Sequence, residues 1–106
     1  MSDRLTAAEA AALLKEVLAG ARGLRLRDAK RPWVRIAVGE CAVTAGDAQV
    51  VFFADSASLD HVAAMRLADG RGGAFADWLL HDGTNPLDLL DESERIELEH
   101  RLHEAS

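Results

Sequence analysis

Four places in the chain carry residue types that could do chemistry. Asp60-His61 sets a carboxylate beside an imidazole, the pairing from which a general acid or base is made, and Cys41 offers a thiol that an imidazole could convert to a nucleophilic thiolate. Gly70-Arg71-Gly72-Gly73 combines bare backbone amides with a guanidinium just ahead of a helical pattern, which is the make-up of a carboxylate or phosphate holder. His100-x-x-His103, with Glu97, Glu99 and Glu104 nearby, has the spacing of a metal clip, because residues three or four apart on a helix share a face.

Each has a plainer reading. A dinucleotide fingerprint would need glycine where Phe75 stands, and a Walker loop would need Gly-Lys-Ser/Thr, so Asp69-Gly70 reads first as turn chemistry. Arg71, Gly72 and Gly73 remain the anion-binding candidates. Two histidines on one helix lack a full ligand set, so no metal site and no cofactor is expected. Asp55, Asp60, Asp77 and Asp82 read as caps and turn residues, Cys41 as a buried structural thiol, and no catalytic residue is assigned. Trp33, Trp78, His100 and His103 are the partner-binding candidates: tryptophan is enriched at interface hot spots, and the histidine stripe lies opposite Leu98 and Leu102.

The elements that must position these residues can be read from capping and periodicity. Leu5-Thr6-Ala7-Ala8-Glu9 is a capping box preceded by a staple residue, which predicts a helix from Ala7. Its apolar stripe is Ala10, Leu13, Leu14, Val17 and Leu18, and Gly20 ends it. The alternation of Val34, Ile36 and Val38 predicts a strand from Trp33, with Cys41–Thr44 continuing it past Gly39. Ala45-Gly46-Asp47-Ala48 supplies a turn, and Gln49–Phe53, apolar on both faces, reads as a central strand covered on both sides. Residues 59–68 fit a helix through Leu59, Val62, Ala63 and Arg66 or a strand through Ala63, Met65 and Leu67; a strand is preferred after about residue 61. Ala74–His81 reads as a short helix with Phe75, Trp78 and Leu79 inward. Asn85-Pro86 opens a further turn, and Asp91–Glu94 caps a final helix from about Glu92. The expected fold is α+β: an N-terminal helix, an antiparallel sheet of three to four strands, a short helix and a C-terminal helix. The expected core includes Leu13, Leu14, Val17, Ile36, Val38, Phe52 and Leu102.

The chain has 106 residues, which predicts one domain spanning 1–106. It is 49% hydrophobic and 28% charged with two prolines, the balance of a globular rather than a disordered chain. The start carries no basic, unbroken apolar leader, no stretch is long enough for a membrane span, and one cysteine allows no internal disulfide; these point to the cytoplasm. Charge is divided: residues 1–35 hold eight basic and four acidic side chains, net +4, whereas residues 36–106 hold four and fourteen, net −10. The basic group of Arg22, Arg25, Arg27, Lys30, Arg31 and Arg35 reads as a solvated connector. The total of −6 argues against a general nucleic-acid binder.

The segments LTAAEAAALLKEVLAG, PWVRIAVGE, FFADSASLDHV, DGRGGAFADW and GTNPLDLLDESERIELEHRL resemble, over about residues 5–102, a family of short uncharacterised proteobacterial proteins of the pseudomonad type. The most specific parts are Phe53, Asp55, Leu59 and Asp60, the Asp69-Gly70-Arg71 turn with Trp78, and Gly83–Pro86 with Leu89-Leu90. Where that pattern carries an aromatic, this chain has His61. The family is a domain of unknown function, so the resemblance implies a bacterial cytosolic domain and no catalytic residues. Together these readings favour a small acidic protein that binds another macromolecule, of the inhibitor, immunity, anti-defence or accessory-regulator type, with its oligomeric state open and a homodimer included. The alternative is a small anionic-ligand module or small enzyme built on Asp60, His61 and Arg71, with Arg66 beside them.

Overall fold

The computed structural model describes residues 4–28, 30–56 and 58–105. Thr6 and Glu9 close the expected capping box, with the Glu9 amide donating to the Thr6 hydroxyl at 3.1 Å, and α1 runs Ala7–Leu18. Gly20 follows with φ +85°. Five strands come next: β1 Leu24–Leu26, β2 Gly39–Ala45, β3 Ala48–Asp55, β4 Ser58–Arg66 and β5 Gly72–Ala74. They lie in chain order and every neighbouring pair is antiparallel. Then α2 spans Phe75–His81 and α3 spans Glu92–Glu104, the latter capped by Asp91.

The class is α+β as the sequence predicts, but the sheet has five strands rather than three to four. The two outer strands are three residues each, too short to display a period, and two of the three residues of β5 are glycine. A second correction concerns Trp33–Arg35, which form a 3-10 turn after Pro32, so the strand begins only at Gly39. Val34 and Val38 therefore face solvent, and Val38 is 64% exposed rather than part of the core.

One face of the sheet is packed. Cys41, Val43 and Ala45 from β2, Ala48, Val50, Phe52 and Ala54 from β3, and Val62 and Met65 from β4 are buried with Leu13, Leu14 and Val17 of α1 and Leu98 and Leu102 of α3. Trp33, Ile36, Trp78, Leu87 and Leu90 fill the margins of the same core. No helix among the described residues is long and apolar enough to cross a membrane.

Strand β4 holds the fold's main irregularity. Its pairing with β3 shifts twice, between Val51 and Phe52 and between Phe53 and Ala54, leaving Ala63 and Asp60 without opposite numbers. Each extra residue rotates the strand by one position, so Leu59, Val62 and Met65 all point to the core at a spacing of three. Beyond the end of β5, Asn85 takes over the edge of β4. Its carboxamide accepts from the Val62 amide at 3.0 Å, donates to the Val62 carbonyl at 3.0 Å and accepts from the Leu87 amide at 3.2 Å. A side chain thus completes the ladder where no strand reaches and caps the Pro86–Leu89 3-10 turn.

Asn85→Ala removes that surrogate strand and leaves three buried backbone groups unpaired, the Val62 amide and carbonyl and the Leu87 amide, so it is expected to cost about 2–4 kcal/mol. Urea unfolding measures this directly, with loss of exchange protection at the Val62 amide as the local readout; an unmoved midpoint would show that the carboxamide is dispensable.

Candidate functional site

The other face of the sheet is half-exposed, overlapped at its margin by Phe75 of α2. The register arranges its side chains in rows that cross the strands. At the end nearest the β2–β3 turn, Arg25, Thr44, Gln49 and Arg66 align. The next row is Ala42, Val51, Ala64 and Ala74, with Arg27 donating its amide to the Ala42 carbonyl at the β1 edge. The third row is Glu40, Phe53 and His61. Val51 and Phe53 are only half-buried, so β3 is central in the sheet but covered on one side, not on both.

His61 is held as an aromatic ring among aromatic rings. It stacks on Phe53 with centroids 4.8 Å apart and planes 10° apart, and Phe75 leans on it at 4.5 Å and 42°. Asp60, pushed out by the second bulge, meets its Nδ1 at 2.6 Å. The imidazole therefore stands where the family resemblance leads one to expect an aromatic side chain, and it packs as one.

From this stack the apolar surface continues onto α2. The helix buries Trp78, whereas Phe75 is 39% exposed, Leu79 58% and Leu80 85%, which corrects the expectation that Phe75 and Leu79 turn inward. Two turns of helix at a sheet margin have one side toward the core, and the bulky indole fills it. A hollow of about 270 Å³ lies between Asp60, His61, Phe75, Leu79 and the 83–88 segment.

The predicted site residues are dispersed. Trp33 and Trp78 are 2% and 3% exposed, and both belong to the core. His100 and His103 lie on the solvent side of α3, with Ile96 on the same stripe, while Leu98 and Leu102 face inward. No group of three His, Cys, Asp or Glu that could hold a metal occurs among the described residues. Cys41 points into the core and His61 out of the opposite face, so the sheet itself separates thiol from imidazole. Burial pushes the Cys41 thiol pKa up, the direction that makes it inert.

The glycine-rich segment does two different things. Gly70 has φ +93° in the turn from β4 to β5, where the Arg71 amide donates to the Asp69 carboxylate at 3.0 Å and the Leu67 amide to the Arg71 carbonyl at 2.7 Å. Gly72 and Gly73 are strand residues. A Cβ on Gly73 would lie 2.8 Å from the Leu5 carbonyl oxygen and 3.0 Å from the Trp78 ring, so glycine lets the N-terminal segment and the indole close on β5. There the Trp78 Nε1 donates to the Leu5 carbonyl at 2.9 Å and the Leu5 amide to the Gly72 carbonyl at 2.9 Å. Arg71 turns away from the open face and pairs with Glu9. That contact, with the Thr6 amide and hydroxyl, holds the Glu9 carboxyl below its ordinary range, so the link is complete at neutral pH and is lost as pH falls through the lowered Glu9 value.

Arg66 and Arg27, by contrast, do reach the open face, where with Gln49, Val51, Ala64 and the Gly70, Gly72 and Gly73 backbone they line a hollow of about 530 Å³. The residues that sequence reasoning missed are thus Val51, Phe53, Phe75 and Leu79. For Val51 and Phe53 the signal was present in the double-sided apolar run of β3, which announces apolar side chains on a second face without saying whether the same chain covers it; Phe75 and Leu79, on α2, had no such signal.

The chain belongs to the family described as Domain of unknown function (DUF7693), whose model matches residues 4–104. No curated protein and no solved structure matches it.

Substitution separates the two roles of the glycines. Gly73→Ala is expected to cost about 1–3 kcal/mol through overpacking and to shift tryptophan emission, because the intruding methyl displaces Trp78. Gly70→Ala costs about 1–2 kcal/mol through its positive φ and leaves the emission unchanged. Arg71→Ala, removing an exposed ion pair, moves stability by less than about 1 kcal/mol. Thermal unfolding followed by fluorescence reads all three.

Proposed function

We propose that this protein is a binding module of the bacterial cytoplasm, docking on another protein through the open face of its sheet and the adjoining side of α2. The supporting observation is one continuous apolar surface, from Val51 through the Phe53–His61–Phe75 stack to Leu79, left uncovered among the described residues. Exposed apolar patches of this kind mark interaction sites in soluble proteins. The imidazole of the Asp60–His61 acid–base candidate is wedged between two phenyl rings, which favours a packing role over proton transfer.

A second reading has its own observation: two arginines and a glutamine, set against the single carboxylate of Asp77, line the 530 Å³ hollow and leave it a net positive charge suited to a small carboxylate or phosphate. On that reading phosphate or citrate at ten times its Kd protects the fold by about 1.4 kcal/mol. Protection is lost in Arg66→Ala and kept in Arg71→Ala; equal protection of all three proteins removes the reading.

The docking proposal is tested by a photo-crosslinking amino acid placed at Val51 or Leu79, with His100 as control, in lysate of the native host. Specific adducts from the first two positions and none from the third are expected, and Val51→Glu abolishes the Leu79 adduct while circular dichroism stays native. Adducts confined to His100 would move the docking surface to α3.

A further inference from the structure

We propose that the protein seated on the open face is a second copy of this chain, with the two sheets stacked face to face about a two-fold axis that lies in the interface at right angles to the strands. This rests on reading the open face as a docking surface. What selects the occupant is the distribution of charge along the strands. Arg25 and Arg66 lie toward one end, Ala42, Val51, Ala64 and Ala74 across the middle with Arg27 at their β1 edge, and Glu40, Asp60 and Asp55 toward the other. Arg25, Arg27, Arg66 and Glu40 have no ion-pair partner among the described residues.

A face that is basic at one end and acidic at the other is complementary to itself once it is reversed. The stated axis performs that reversal and keeps each strand over its own counterpart. Arg66 then falls over the partner copy's β4 at the level of His61 and Asp60, and Arg25, on the β1 edge, falls beside the position of Glu40. An axis parallel to the strands would instead set arginine on arginine, so charge specifies one orientation and penalises the other. The middle row meets itself, and its one charge, Arg27, comes beside its own counterpart at the exposed β1 edge, where solvent and salt screen the pair. The row's alanines and valine are short enough for the sheets to approach the spacing of about 10 Å found in sandwiches.

The size is compatible. Five strands about 4.8 Å apart, with rows reaching over about 20 Å of strand, give a footprint on the order of 400 Å². Side-chain relief and the flanking Phe75 and Leu79 bring the buried surface toward the roughly 800 Å² per partner of a standard interface. Pairing would also cover the apolar surface that the chain's own helices leave bare.

Sedimentation equilibrium of the whole protein up to about 200 μM tests this. Wild type is expected to be a dimer that weakens as salt is raised. Arg25→Glu and Glu40→Arg should each weaken it about tenfold or more while leaving circular dichroism and the Tm of dilute, monomeric protein unchanged, and the double charge swap should restore it. Val51→Glu should give a folded monomer. A monomeric wild type overturns the proposal, as does a dimer indifferent to these substitutions. If wild type is monomeric while a crosslinker at Val51 still traps a different protein, self-pairing fails and the docking reading stands; if no adduct forms either, both fail.

Discussion

Two helices cannot cover both faces of a five-stranded sheet. Each is about 10 Å across with its side chains, so α1 and α3 side by side match the width of about 20 Å that five strands present, and one face is all they fill. Every inward position of β2, β3 and β4 follows from that single layer. Valines and Phe52 meet leucines of the helices, with Trp33 and Trp78 closing the margins. The opposite face inherits whatever the alternating strands place there, and in this chain they place alanine, valine and aromatic rings. The fold and the candidate site are consequences of the same stoichiometry of layers.

The margins are held by side chains that act as backbone. Asn85 extends the ladder of β4 where β5 stops, and Trp78 ties Leu5 to the glycine strand. Glu99 of α3 reaches the Leu59 amide at 2.9 Å, meeting β4 beside its second bulge. These contacts let a short, irregular edge survive next to a two-turn helix, and they keep Phe75 against His61 on the open side. The bulges matter for the same reason: they return Met65 and Val62 to the core while releasing Asp60 and Ala63 outward.

Helix boundaries were legible because capping is local chemistry. Thr6 with Glu9, Asn85 with Asp88, and Asp91 with Glu94 form their bonds within four residues and need no tertiary partner. Strand β4 was ambiguous for an equally physical reason: two bulges convert its inward period from two to three, and Leu59, Val62 and Met65 then imitate a helix. The alternation of Val34, Ile36 and Val38 misled because only Ile36 packs, Pro32 and Trp33 starting a tight turn instead. In the candidate site, Arg66 and His61 were visible by residue type. Their being on one face with Val51 and Phe75 depends on register, which no local pattern in the chain encodes.

Two valines adjacent in sequence carry the contrast between the faces. Val50 lies wholly in the core, and Val51 lies on the face offered to a partner. Methyl NMR with a soluble paramagnetic probe, run on dilute protein and again as concentration rises, reads both in one experiment. The prediction is that in dilute protein the Val51 methyls broaden strongly while those of Val50 do not, and that Val51 becomes protected as a partner copy seats. Equal protection of Val50 and Val51 at every dilution would contradict it, since the second face would then be closed by the chain itself.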